Sequence, residues 1–141
     1  MDRGGNWRID HTGIGVANIL RSARFYNASL GALGLHPIVR ITKTFGMAAS
    51  DDDPELGGVG YGVDYPIFWI DVLHPHGVKQ HTAFRARNRA EVGAFYKAAL
   101  SAGGQDNGSP GLRSGGYPPG YFAAFVIDPD GNNMEAVFRE A

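Results

Sequence analysis

DHTGIGVANILRSARFYNASLGALG at residues 10–34 is matched, seventy positions later, by QHTAFRARNRAEVGAFYKAALSAGG at residues 80–104. Aligned without a gap, the two stretches share His11 with His81, Thr12 with Thr82, Asn18 with Asn88, Phe25 with Phe95 and Tyr26 with Tyr96. Ala28, Leu30, Ala32 and Gly34 likewise fall on Ala98, Leu100, Ala102 and Gly104. Two amphipathic helices can converge on similar apolar residues. Convergence does not account for the polar His-Thr pair or for the Asn ahead of each helix. A period this long with only two copies indicates a duplicated module rather than a solenoid.

Each copy reads alike. Residues 9–17 and 79–86 have the character of strands. Asn18 and Asn88 sit where a side-chain oxygen caps a helix N-terminus, and Asn88-Arg89-Ala90-Glu91 has a capping-box pattern. Ile19, Ala23, Tyr26 and Leu30 then recur at helical spacing, as do Val92, Phe95, Ala99 and Ala102. Gly34 and Gly103-Gly104 supply the stops. Strands are expected at 35–42, 44–49 and 66–73 in the first half, the last two separated by an acidic, Gly-rich loop at 50–62. In the second half they are expected at 104–108, 120–127 and 133–139. Asp128-Pro129-Asp130-Gly131 makes a turn between the last two. The order is βαβββ twice, an α+β class with helices packed on sheet. Module one covers about 8–73 and module two about 78–139 of a single domain, 1–141. His74-Pro75-His76-Gly77 joins them; His36, His74 and His76 receive no role.

Composition excludes several classes. The 141 residues suffice for one buried core, and 43% hydrophobic with 19% charged residues is a globular balance. A net charge of −1 without a basic cluster argues against a nucleic-acid partner. The absence of cysteine removes disulfides and thiolate metal sites. No apolar run is long enough to span a membrane, and Met1–Asn6 lacks the apolar core of a signal peptide. No membrane partner and a cytoplasmic setting are expected.

The chemistry-bearing set is His11, His81 and Glu135. A lone strand histidine is more often a hydrogen-bonded structural residue than a ligand, but the equivalent placement of His81 shifts the balance. Glu135 lies in an otherwise apolar strand, where a carboxylate needs a partner; the plain alternative is a cross-strand salt bridge. Two neutral imidazoles and one carboxylate suit one divalent Fe, Mn, Zn, Ni or Co ion and leave positions open for substrate.

Asp10-His11-Thr12-Gly13-Ile14, Gln80-His81-Thr82-Ala83-Phe84 and Asp128-Pro129-Asp130-Gly131-Asn132-Asn133-Met134-Glu135 together resemble the vicinal oxygen chelate superfamily. It includes glyoxalase I, extradiol dioxygenases, methylmalonyl-CoA epimerase, fosfomycin-modifying transferases and bleomycin-resistance proteins. The resemblance spans about residues 9–139. It implies paired βαβββ modules in a curved mixed sheet, the glyoxalase/bleomycin resistance/dioxygenase fold, with His11, His81 and Glu135 as metal ligands. It also implies a homodimer, joined side by side or by exchange of modules. Two departures stand out. Trp69 falls where glyoxalase I has its fourth ligand, with Asp71 available only by a register shift. Phe125 falls where the ring-cleaving and fosfomycin enzymes have a tyrosine. Strand alternation puts Tyr121 and Ala123 on the face of Phe125, so Tyr121 is the candidate catalytic hydroxyl.

Arg113, Tyr117 and Tyr121 flank the Gly-Pro-rich stretch 108–120, a candidate lid. Arg113 is placed to pair with a substrate anion, against a solvated loop arginine as the alternative. Trp69 and Phe125 are candidate substrate contacts, against plain core aromatics. Arg85 faces the cup if Phe84 packs beneath the helices. These features point to a metal-dependent glyoxalase/dioxygenase-like enzyme acting on a small oxygen-chelating molecule. The alternative is a drug-sequestering protein of the bleomycin-resistance type, which has no use for the His-His-Glu set.

Overall fold

The computed structural model describes residues 8–48 and 50–140. Met1–Asn6 and Ala49, the last residue of one expected strand, lie outside the described residues. Module one runs β1 (Thr12–Gly15), α1 (Ile19–Gly31), β2 (His36–Thr42), β3 (Leu56–Gly62) and β4 (Pro66–Asp71). Module two runs β5 (His81–Arg85), α2 (Arg89–Ser101), β6 (Gln105–Asp106), β7 (Gly111–Leu112), β8 (Tyr121–Ile127) and β9 (Asn133–Arg139). Module one forms a sheet ordered β1-β4-β3-β2; module two forms one ordered β5-β9-β8-β6, with β7 paired to β8. In each, the first and last strands pair in parallel and the remaining pairs are antiparallel. The sheets are curved and open, as an α+β fold of two βαβββ modules requires.

The helices begin where the asparagines stand. Asn18 Oδ1 accepts the Arg21 N–H at 3.0 Å, and Asn88 Oδ1 accepts the Glu91 N–H at 2.8 Å. Each satisfies an otherwise orphaned donor, worth about 1 kcal/mol. The capping box at Asn88 is only half made. Glu91 turns its carboxylate to the backbone N–H and guanidinium of Arg87 instead of the Asn88 N–H, because a cation competes for it there.

Alternation along the strands sorts residues into two faces. Ile14, Val16, Val59, Tyr61, Phe68 and Ile70 of module one, and Phe84, Val126, Met134 and Ala136 of module two, join Phe25, Tyr26, Leu30, Val92 and Phe95 from the helices in one buried cluster. Phe68 and Phe84 meet edge to face across the modules at 5.1 Å. The helices and one face of each sheet thus make a common interior. The opposite faces look outward, and that of module two carries its own small cluster of Ala123, Phe125 and Val137.

The Asp128–Gly131 turn forms as expected, with Gly131 at φ +91° and its N–H on the Asp128 carbonyl. It also clamps the modules. The buried Tyr26 hydroxyl donates to Asp128 Oδ2 at 2.5 Å, and Asp130 accepts from the Ala17 N–H and the Ser22 hydroxyl on module one. Burial, then the adjacent Asp128 carboxylate, pushes the Tyr26 phenol well above its ordinary range.

One strand expectation and one loop expectation in module one fail together. Of the expected strand 44–49, the described residues, 44–48, form no strand beyond a bridge of Met47 to Ile41. Thr42 closes a turn on Gly46 through both backbone and hydroxyl, with Phe45 at φ +65°. The third strand lies instead at Leu56–Gly62, inside the segment read as loop, and every residue of it is buried. Its glycines mislead because they lower strand propensity. They occupy the outward face, where a Cβ on Gly60 would stand 2.8 Å from the Trp69 indole and one on Gly58 would stand 3.0 Å from Ile41. In module two, the stretch 108–120 contains the unforeseen β7.

Candidate functional site

His81 opens β5 and pairs in register with Asn133, while Glu135 lies two residues along β9, opposite Ala83 and Phe125. The Nδ1 of His81 sits 2.9 Å from the Asn133 carbonyl oxygen. That oxygen only accepts, so Nδ1 carries a proton. The Nε2 of His81 faces Glu135 Oε1 at 3.2 Å. Two acceptors at that distance repel unless a proton or a cation lies between them. Glu135 is 2% exposed, and a buried carboxylate needs compensation. Part comes from Tyr121, whose hydroxyl donates to Oε2. Burial, followed by this bond to Glu135, pushes the Tyr121 phenol up to about 12, so it keeps its proton and serves as a donor.

Other residues expected at the site gather around this pair. Phe125 stacks on the His81 ring, centroids 6.4 Å apart and planes 25° apart. The Arg113 guanidinium lies 5.3 Å above Phe125, tethered to the Gly111 and Ser109 carbonyls. Tyr117 packs on Tyr121 at 4.9 Å. Arg85 is exposed, one residue past the buried Phe84, so it faces outward as strand alternation requires.

His11 and Trp69 stand elsewhere. His11 lies one residue ahead of β1, and with Trp69 it lines a cavity of about 540 Å³ on the outward face of module one, walled by Ile41, Phe45, Leu73 and His74. Among the described residues, no three His, Cys, Asp or Glu side chains converge as a metal-binding group within the chain. The structure therefore joins His81 with Glu135 and leaves His11 apart.

Asp10 and Tyr65, beside His11, carried no expectation, whereas Asp71 is the residue read as a fourth ligand only by a register shift. The Nδ1 of His11 is 2.6 Å from Asp10 Oδ1, which also accepts the Tyr65 hydroxyl at 2.7 Å. Those bonds to His11 and Tyr65 hold the Asp10 carboxyl below the usual range. Asp71, 8% exposed, accepts the N–H groups of Leu73 and His74 and faces His74 Nδ1 at 2.9 Å. An Asp directly before His, and an Asp three residues before His in a Pro-Gly linker, were the available signals; both patterns are short and common.

The donor set suits a divalent ion. Both histidines turn Nδ1 to an oxygen, and His81 Nε2 and Glu135 Oε1 lie close enough to share a cation.

A family model described as "Glyoxalase/Bleomycin resistance protein/Dioxygenase superfamily" matches residues 8–136. Among solved structures, a glyoxalase/bleomycin resistance protein from Albidiferax ferrireducens T118 is 26% identical, with TM-score 0.69, covering 94% of this chain and 98% of that one. A glyoxalase-related enzyme from Fulvimarina pelagi is 19% identical, with TM-score 0.64 and coverage of 94% and 88%. A glyoxalase/bleomycin resistance protein/dioxygenase family enzyme from Burkholderia phytofirmans PsJN is 15% identical, with TM-score 0.62 and coverage of 93% and 98%. No curated protein matches the chain. No helix among the described residues is long and apolar enough to cross a membrane.

Proposed function

This chain belongs to the glyoxalase/bleomycin resistance protein/dioxygenase superfamily, and on that premise we propose that it is a metal-dependent enzyme acting on a small oxygen-chelating organic substrate. The observation that carries the proposal is His81 Nε2 set 3.2 Å from the buried Glu135 carboxylate on the neighbouring strand. Fe, Mn, Zn, Ni or Co suits this nitrogen and oxygen set. Such an ion, when bound, polarises substrate oxygens as a Lewis acid. Tyr121 fixes Glu135 in place, and Arg113 offers a guanidinium to a substrate anion from above Phe125.

The third ligand in this reading is His11 of the partner subunit in a homodimer with two equivalent sites. Its support is the separation of His11 from His81 and Glu135 within one chain, with both half-sites on outward faces. Phe45 and Met47, 76% and 77% exposed beside the His11 cavity, supply apolar surface for such a contact. The second reading, a sequestering protein for an apolar drug, is favoured by the cavity of module one, where the Trp69 indole lies over Gly60.

Elemental analysis of protein purified without a histidine tag separates the two. The enzyme reading expects about one divalent ion per chain and loss of most of it in His81→Ala and Glu135→Ala, with circular dichroism unchanged. Full metal occupancy in both variants overturns it.

A further inference from the structure

We infer that Asp10, anchored by Tyr65, is a positioning residue that fixes His11 in the ring orientation and tautomer needed to bind metal through Nε2. The inference rests on the metal reading above and concerns how one of its ligands is held.

His11 lies just outside the sheet. The β1–β4 ladder begins at Thr12, so no strand pairing orients the residue before it. Its side chain is 55% exposed. Its partner comes from nearby chain, and Asp10 supplies it at 2.6 Å. A carboxylate oxygen accepts only, so this contact requires the proton on Nδ1 and leaves the Nε2 lone pair free. Asp10 is itself exposed and would sample several rotamers alone. The Tyr65 hydroxyl, donated to the same Oδ1 at 2.7 Å, limits that freedom.

Tyr65 is held in turn by backbone geometry. It sits in the reversal between β3 and β4, where a Cβ on Gly62 would fall 1.8 Å from the Tyr65 carbonyl oxygen. Only glycine permits so tight a return. The strand reversal thus places the phenol, the phenol places the carboxylate, and the carboxylate places the imidazole.

The two histidines of the duplicated motif are consequently backed differently. His81 donates to a neutral backbone carbonyl, whereas His11 donates to an anion. An anionic partner makes the imidazole a stronger electron donor, and removing such a partner typically weakens metal binding about 10–100-fold. Because Asp10 and His11 are exposed to competing water, the lower end of that range is expected.

The test uses the full chain in two measurements. In metal-free protein at mildly alkaline pH, nitrogen-15 correlation spectra of the histidine rings report the tautomer. Wild-type His11 should carry its proton on Nδ1. Asp10→Ala should shift it toward Nε2, which a free imidazole side chain favours, and Asp10→Asn should retain Nδ1–H through its amide oxygen. Cobalt(II) titration followed by visible ligand-field absorption then reports affinity, with about tenfold loss for Asp10→Ala and a smaller loss for Tyr65→Phe. An unchanged tautomer or an unchanged cobalt affinity in Asp10→Ala, with the wild type binding normally, overturns this inference alone. A wild-type protein that takes up no cobalt overturns the metal reading and this inference together.

Discussion

His81 Nε2 and Glu135 Oε1 face each other at 3.2 Å, on neighbouring parallel strands whose register is fixed by the His81–Asn133 and Ala83–Glu135 pairings. The contact is held by backbone ladder on one side and by the Asn133 carbonyl and Tyr121 hydroxyl on the other. A site built on strands in this way keeps its geometry better than one built on loops.

If His11 completes the site across a dimer, two inactive variants should rescue each other. His11→Ala and His81→Ala chains, co-refolded, form mixed dimers in which one site carries both defects and the other carries neither. Metal analysis of the isolated mixed dimer should find one intact site. A mixed dimer with no bound metal would place all three ligands in one chain, and a monomeric mass at micromolar concentration would remove the dimer altogether.

The departures at Trp69 and Phe125 predict poor activity on familiar substrates. A site lacking the fourth carboxylate and a hydroxyl at position 125 should turn over the methylglyoxal–glutathione hemithioacetal, simple catechols and fosfomycin weakly or not at all, even with Fe(II), Ni(II), Zn(II) or Mn(II) restored. Loss of one oxyanion donor costs about 10²–10³ in rate at comparable sites. Steady-state assays with the three compounds decide this, and robust turnover of any one of them contradicts it.

Tyr26→Phe should destabilise the fold without touching the metal. It deletes a buried hydroxyl that donates to a carboxylate, worth about 1.5–3 kcal/mol, and leaves the Asp128 Oδ2 bond to the Asn132 amide. Urea unfolding should show a lower midpoint with the same slope. A midpoint equal to wild type would mean that the modules do not depend on this clamp.

Acid should weaken module one through Asp51. Burial opposes ionisation of Asp51, but its bonds to Arg40 and Asn27 outweigh it and hold the carboxyl below the ordinary value. Its folded value is thus depressed relative to the unfolded chain. The stabilisation is fully present above the unfolded value, about pH 4, and is lost as pH falls through the folded one. Asp51→Asn should flatten that part of the stability profile, measured by thermal unfolding between about pH 2 and 5. An unaltered profile would show that the Arg40 pair contributes nothing.

The repeat made the architecture legible. Asn18 and Asn88 announced both helix starts, and the paired histidines located equivalent strands. β3 was hidden because its glycines suggest a loop, and the neighbours that require them, such as the Trp69 indole over Gly60 and Ile41 over Gly58, appear only in three dimensions. Parts of the site showed through in the same way. His81, Glu135, Tyr121 and Phe125 gather on adjacent strands, and Arg113 reaches Phe125 from the loop after β7. What the sequence could not convey is that the modules share one interior through their helices, with His11 beside a module-one cavity that His81 does not line. Tyr65 lies 55 residues from Asp10, beyond the reach of any local pattern.

The Tyr26–Asp128 clamp joins positions 102 residues apart. At synthesis rates of about 5–20 residues per second, the ribosome needs roughly 5–20 s after making Tyr26 to deliver its partner. Early in that interval the second half, including the Phe84 that packs on Phe68, has yet to be made, and the first half lacks its share of the common interior. The newborn chain therefore passes through a sticky, half-finished stage on every round of translation, and cellular chaperones have that window in which to engage it.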